Sequence, residues 1–461
     1  MKLKTTTNPI AKAPKGYVRL TLLEKGVERY TEKNGVGELQ IIAGKFADVT
    51  PRNFRTIVRS IVSAMKKYKI EKIALELRNP SFSKLAVYDE AWIMSTLAEN
   101  LILADYEYTV YKSKPERISR EILVCGEMSA AGKKGFERGT ILANQINISR
   151  DLANTPGGDM TPALLADKVK QITKGTKVKV KALGLAEIKK LKMGALLGVG
   201  QGAKDKPRFI IMEYWGAKKS EKPIVFAGKG ITFDTGGLQI KPGMSMFEMH
   251  MDMSGGAMVI AAVTAAAKLG LKKNIIGLIP AAENAVSGES MRPGDVLVSM
   301  SGKTIDVIHT DAEGRLVLAD ALTYAKKYNP KLVVDVATLT GAALVAVGPH
   351  ANVIMTKDRK LEDTLRDLGE ESGDYTHPLP LWDEYKQYTR GVHGDIANIP
   401  ANDTKYGGSI NGGMFLSHFT EGMKWVHIDM APRMTEAPGD HLAKGSTGEP
   451  ARLLLKIAEK L

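Results

Sequence analysis

Short apolar runs and helical periodicities take turns along the first third of the chain. Tyr17–Leu23 (YVRLTLL) and Glu38–Ala43 (ELQIIA) are short and rich in β-branched or aromatic residues, which predicts strands. Phe54–Tyr68 repeats apolar residues at helical spacing with basic residues on the other face, which predicts a helix. Lys72–Leu77 predicts a strand, Tyr88–Ala104 a helix and Glu121–Val124 a strand. This rhythm predicts a small α/β domain over 1–130. Gly135–Ala153 is a long helical pattern that stops where Pro and Gly punctuate Asn154–Gly158. It reads as a linker helix (131–153) opening a larger domain over 131–461.

The larger domain also reads as α/β. Phe209–Met212, Ile224–Ala227, Ile275–Ile279, Ile305–Ile308 and Leu332–Val336 are short apolar runs, which predicts strands buried on both faces. In such sheets ligands bind outside the carboxyl ends of the strands, so the segments after these runs are the ones to inspect. Met258–Ala267 is the longest apolar stretch and predicts a buried helix; a bilayer span needs about 20 residues. The basic N-terminal residues are not followed by an apolar core of secretory type, so a cytoplasmic location is expected.

Acids and lysines gather in three segments, two of them directly after these runs. Gly228–Gly237 (GKGITFDTGG) follows the second, with Lys241 just beyond. In Phe247–Met253 (FEMHMDM) the apolar residues alternate with Glu248, His250 and Asp252, which predicts two opposite faces. His309–Leu316 (HTDAEGRL) follows the fourth, and in an extended chain Asp311 and Glu313 point the same way. Carboxylates at neighbouring strand ends repel unless a positive group lies between them, and oxygen ligands suit hard divalent cations. Two such cations, about 3.5–4 Å apart, can share carboxylates and activate a water. No P-loop, dinucleotide fingerprint, His-Glu-x-x-His or Gly-x-Ser-x-Gly is present.

Composition narrows this picture in two ways. The single cysteine, Cys125, excludes an intrachain disulfide and a Cys-based zinc cluster. The formal charge of +14 leaves a DNA-binding or architectural role open as a second reading, without a nucleic-acid motif to support it.

At these residues the sequence resembles the leucyl aminopeptidase family, the cytosolic di-metal exopeptidases. Thr310–Leu316 (TDAEGRL) matches the family signature, with Gly228–Asp234, Lys241–Gly243, Asp252-Met253, Ala281–Asn284, Arg292–Val296 and Ala337–Ala342 in support. The match runs over 150–461. It implies a small N-terminal α/β domain, a linker helix and a larger catalytic domain with a central mixed β-sheet flanked by helices.

The resemblance implies that Lys229, Asp234, Asp252 and Glu313 bind one divalent metal and Asp234, Asp311 and Glu313 a second. Manganese or zinc is the expected ion. It further implies that Lys241 stabilises the oxyanion, that Arg315 holds a bicarbonate, and that Met249, Thr338 and Gly341 line the pocket for a Leu- or Met-like first residue. A homohexamer, a dimer of trimers acting on peptides, is the implied assembly. The chain departs from the family at His309, where Asn is usual and where a structural substitute is expected rather than an extra ligand, and at His250, Gly157-Gly158, Ala203 and Asn411–Gly413. The other histidines show no ligand pattern.

Overall fold

A computed structural model describes residues 1–76, 82–115, 118–402 and 406–461. The chain divides into two compact units: Met1–Asn147 with Ala437–Lys444, and Ile148–Glu436 with Gly445–Leu461. The helix Ala130–Asn154 runs from the first into the second.

In the first unit a six-stranded sheet has the order Lys2–Thr6, Glu121–Cys125, Lys72–Leu75, Val18–Leu23, Val36–Ile42, Arg29–Lys33. The predicted strands are present with shifted ends, although Leu77 of the predicted Lys72–Leu77 lies outside the described residues. The helix predicted over Phe54–Tyr68 begins earlier, at Pro51. Thr50 caps it by accepting the Asn53 N–H through its hydroxyl at 3.2 Å, while the Asn53 side chain accepts the Thr50 N–H. Pro51 fits the first turn because its missing N–H would have had no helical partner. Glu90–Asp105 is likewise capped, by Asp89.

The second unit is built on a nine-stranded mixed sheet. Its centre is the run Trp425–Asp429, Leu332–Ala337, Ile224–Gly228 and Asn274–Asn284, all parallel. Antiparallel neighbours flank it: Asn352–Met355 on one side, Arg208–Trp215 and then Lys179–Leu183 on the other. Gly230–Asp234 continues the chain past Gly228 and pairs with the far end of Asn274–Asn284. The central strands are buried along their whole length except at Glu283, as apolar runs with a helix on each face require. The helix Ser254–Lys268 covers the predicted Met258–Ala267 and is buried through Ala266. No described helix is long and apolar enough to cross a membrane.

The run predicted as Ile305–Ile308 corrects in two respects. The strand is Thr304–Asp306, and it belongs to a separate three-stranded sheet rather than to the central one. Val298–Thr304 pairing closes a hairpin there, and Asp306 ties down a neighbouring loop by accepting the backbone N–H groups of His393 and Gly394.

A buried ion network anchors the C-terminal helix Ala451–Lys460. Arg452 Nε donates to Asp374 Oδ1 at 2.7 Å, the Leu453 N–H to Asp374 Oδ2 at 2.9 Å, and Arg433 reaches Glu449 at 2.8 Å. Truncating one partner strands the other charge in the interior. Arg452→Ala is expected to cost about 3–5 kcal/mol in denaturant unfolding. A loss below about 1 kcal/mol, the range of surface pairs, would contradict a buried network.

Candidate metal centre

Four carboxylates and two lysines converge at the carboxyl ends of the central strands. Lys229 sits in the break between Ile224–Gly228 and Gly230–Asp234, held by its N–H on the Val336 carbonyl at 2.9 Å. Asp234 ends the latter strand. Asp252 lies on the 3-10 turn Met249–Met253 that leads into the Ser254–Lys268 helix, and Glu313 is the residue before the helix Gly314–Ala325. Lys229 Nζ stands 2.7 Å from Asp252 Oδ2 and 2.8 Å from Glu313 Oε1. Lys241 Nζ stands 2.9 Å from Asp234 Oδ2 and 2.6 Å from Asp311 Oδ1. Gly314 makes room for this arrangement: a Cβ there would lie 2.7 Å from Lys229 Nζ.

Two local expectations are corrected. Phe247–Met253 is not an alternating extended segment; it follows the 3-10 turn Gly243–Met246 and itself coils into a second, Met249–Met253. Asp252 reaches the site because this turn delivers it into the start of the helix. Asp311 and Glu313 do not point the same way either. Residues 310–311 form a turn, so Asp311 faces Lys241 and Glu313 faces Lys229.

Lys229, Asp234, Asp252 and Glu313 are each no more than 3% exposed, so their charges must compensate one another. Burial raises the pKa of Asp252 and Glu313, and the other carboxylates push in the same direction. Burial alone would depress the Lys229 ammonium, but Asp252, Glu313 and Asp234 outweigh it and hold it above its ordinary range. Arg315 is pushed down to about 10 by burial.

Four acids against two lysines leave a formal charge of −2. Asp252 Oδ2, Asp311 Oδ1 and Glu313 Oε1 are buried and accept no well-directed hydrogen bond, despite their close lysines. Ligand oxygens of Asp234, Asp252 and Glu313 lie within 4.8 Å of one another. A negative, oxygen-rich, under-bonded cluster fits hard or borderline divalent cations. Asp311 stands outside that trio and joins it through Lys241.

The remaining predicted residues line one cavity of about 660 Å³, within the usual range for a ligand pocket. Lys241, Arg315, Met249, Thr338 and Gly341 all border it, with Leu344, Ala431 and Met434. His309 borders it too, and its Nδ1 accepts the Asp311 N–H at 3.1 Å, the structural role expected for a substitute of Asn.

Three supporting roles escaped the sequence reading. Asn284 donates to Asp234 Oδ1 at 2.8 Å and to the Thr310 carbonyl at 3.1 Å. Asn398 accepts Arg315 Nη1 on its carbonyl at 2.6 Å. Asp429 accepts the Leu339 N–H at 3.1 Å and the Thr340 hydroxyl at 2.7 Å, which fixes the turn carrying Thr338. Thr338, expected in the pocket, also donates to Asp252 Oδ1 at 2.6 Å. The only local signal was the polar residue closing each apolar run.

A mixed α/β unit with a buried acid–lysine cluster at its strand ends has the makings of a divalent-metal centre. Residues 147–455 match the catalytic domain of the cytosol aminopeptidase family, and residues 39–115 match that family's N-terminal domain. A "Probable cytosol aminopeptidase" from Azoarcus sp. (strain BH72) is 39% identical over 426 residues, covering 91% of this chain and 83% of the relative. Another from Nitrosococcus oceani is 43% identical over 365 residues, covering 78% and 72%. A solved structure described as "Bottromycin maturation enzyme BotP in complex with Mn" superposes with a TM-score of 0.85 at 29% identity, covering 97% of this chain and 99% of that one. The chain belongs to the cytosol aminopeptidase family.

Proposed function

We propose that this protein removes the N-terminal residue, Leu- or Met-like by preference, from short peptides in a two-metal site. The observation that carries the reading is the −2 cluster of buried, under-bonded carboxylates beside a peptide-sized cavity. Lys229, as the neutral amine that an adjacent dication favours over the ammonium, would hold one divalent cation with Asp234, Asp252 and Glu313, and Asp234, Asp311 and Glu313 would hold the other. Manganese or zinc suits these donors, and the manganese complex of the BotP neighbour supports the former. Such ions, when bound, supply Lewis acidity and lower the pKa of water.

The chain's own residues divide the remaining work. Asp252, oriented by the Thr338 hydroxyl, receives the substrate's free amine. An internal peptide bond offers no amine at that point, which accounts for exopeptidase action. Lys241 brings an ammonium to the cavity wall, where it opposes the negative charge that grows on the scissile carbonyl oxygen. Arg315 is anchored through Nη1 to Asn398, leaving the rest of its fork for a planar anion such as bicarbonate, which would carry the proton from water to the leaving amine.

Met249, Thr338 and Gly341 bound the first side-chain pocket, and the flexible thioether of Met249 adapts to several apolar shapes. Met249→Ala is expected to lower kcat/KM for leucyl peptides about tenfold more than for alanyl peptides, the scale of a lost apolar contact in a specificity pocket. Equal losses on both would remove Met249 from the pocket.

A cytoplasmic homohexamer completes the proposal and rests on the family resemblance. A monomer mass in light scattering would contradict the hexamer. The DNA-binding reading gains no support from relatives named for peptidase activity. The direct test of exopeptidase action compares Leu-Gly-Gly with its N-acetylated form. Cleavage of the free peptide alone is expected; equal cleavage of the blocked one would overturn the reading.

A further inference from the structure

His309 has more to offer than its hold on the Asp311 N–H. Its backbone is pinned by Asn398, whose Oδ1 accepts the N–H groups of Ile308 at 2.8 Å and His309 at 3.2 Å and whose Nδ2 donates to the His309 carbonyl at 2.6 Å. The ring therefore stands on a fixed turn at the cavity wall, beside Ile399 and Pro400. Nδ1 already accepts a hydrogen bond, so in the neutral imidazole the proton sits on Nε2. Among the described residues no protein acceptor meets the Nε2–H, and it is not sealed from solvent. The ring is not part of the metal-holding trio either.

We propose that His309 binds the leaving side of the substrate, its Nε2–H donating to the carbonyl or carboxylate oxygen of the residue after the scissile bond. The inference rests on the aminopeptidase reading above. A peptide with its amine at Asp252 and its scissile carbonyl at Lys241 runs on past Asp311, which Lys241 contacts, and so reaches His309. The consequence is a preference for true peptides over leaving groups that lack an oxygen at this place.

The test compares kcat/KM for leucylglycine with that for leucine 2-naphthylamide, whose leaving group carries no oxygen. His309→Asn keeps an acceptor for the Asp311 N–H but draws the donor back from the cavity; His309→Leu removes both. The peptide-to-naphthylamide ratio is expected to fall about tenfold in His309→Asn, because a site built to donate a hydrogen bond discriminates against partners without an acceptor. His309→Leu is expected to show the same fall in ratio and a further loss on both substrates as the Asp311 turn loosens. An unchanged ratio in an active His309→Asn variant would overturn the proposal and leave His309 with only its structural bond. Cleavage of neither substrate by the wild-type enzyme, with metal supplied, would instead overturn the aminopeptidase reading.

Discussion

Glu313→Ala is expected to abolish detectable hydrolysis of leucyl peptides while the chain still folds and unfolds cooperatively on heating. Glu313 is buried, and its Oε1 lies 2.8 Å from Lys229 Nζ. Removing the carboxylate reduces the cluster from four acids to three against the same two lysines, and with it the negative charge that would hold a cation. A metal centre is worth several kcal/mol of charge stabilisation, so kcat should fall roughly 10³-fold or more. Metal content measured on the same preparation should fall with it. A variant that retained both its metal and more than about a tenth of its activity would remove Glu313 from the centre.

Lys241→Met is the second large effect, and its signature differs. The methionine keeps most of the side-chain length and removes the ammonium that faces Asp234 and Asp311. If that ammonium stabilises the oxyanion, kcat should drop by roughly 10²–10³-fold, the range for a lost oxyanion donor. KM should change little, because the charge it opposes is absent from the bound peptide. Bound metal should be retained, which separates this variant from Glu313→Ala. A raised KM with unchanged kcat would assign Lys241 to substrate binding instead.

Much of this site was legible in the sequence because the chemistry follows the strands directly. Lys229 and Asp234 sit one and six residues beyond Gly228, where an apolar run ends, and Glu313 precedes a helix start. Apolar runs reveal buried strands, and strand ends reveal where polar groups must collect. Asp252 was found for a partly mistaken reason. Methionines at every second position imitate strand alternation, yet the backbone there turns as a 3-10 helix. The separate three-stranded sheet was missed because a short apolar run does not say which sheet it joins. The residues that hold the site in place stayed hidden for another reason. In their supporting roles Asn284, Asn398 and Asp429 act on partners 50, 83 and 90 residues away in the chain, distances over which sequence periodicity carries no information.

The proposal comes down to a single claim: that hydrolysis depends on divalent cations held by this buried cluster. The most direct measurement strips the enzyme with a chelator, confirms metal loss, and follows release of free leucine from Leu-Gly-Gly before and after adding manganese or zinc. The expected result is loss of activity on stripping and its return with added metal, with about two ions bound per chain at full activity. Full activity in the stripped, metal-free enzyme would contradict the account.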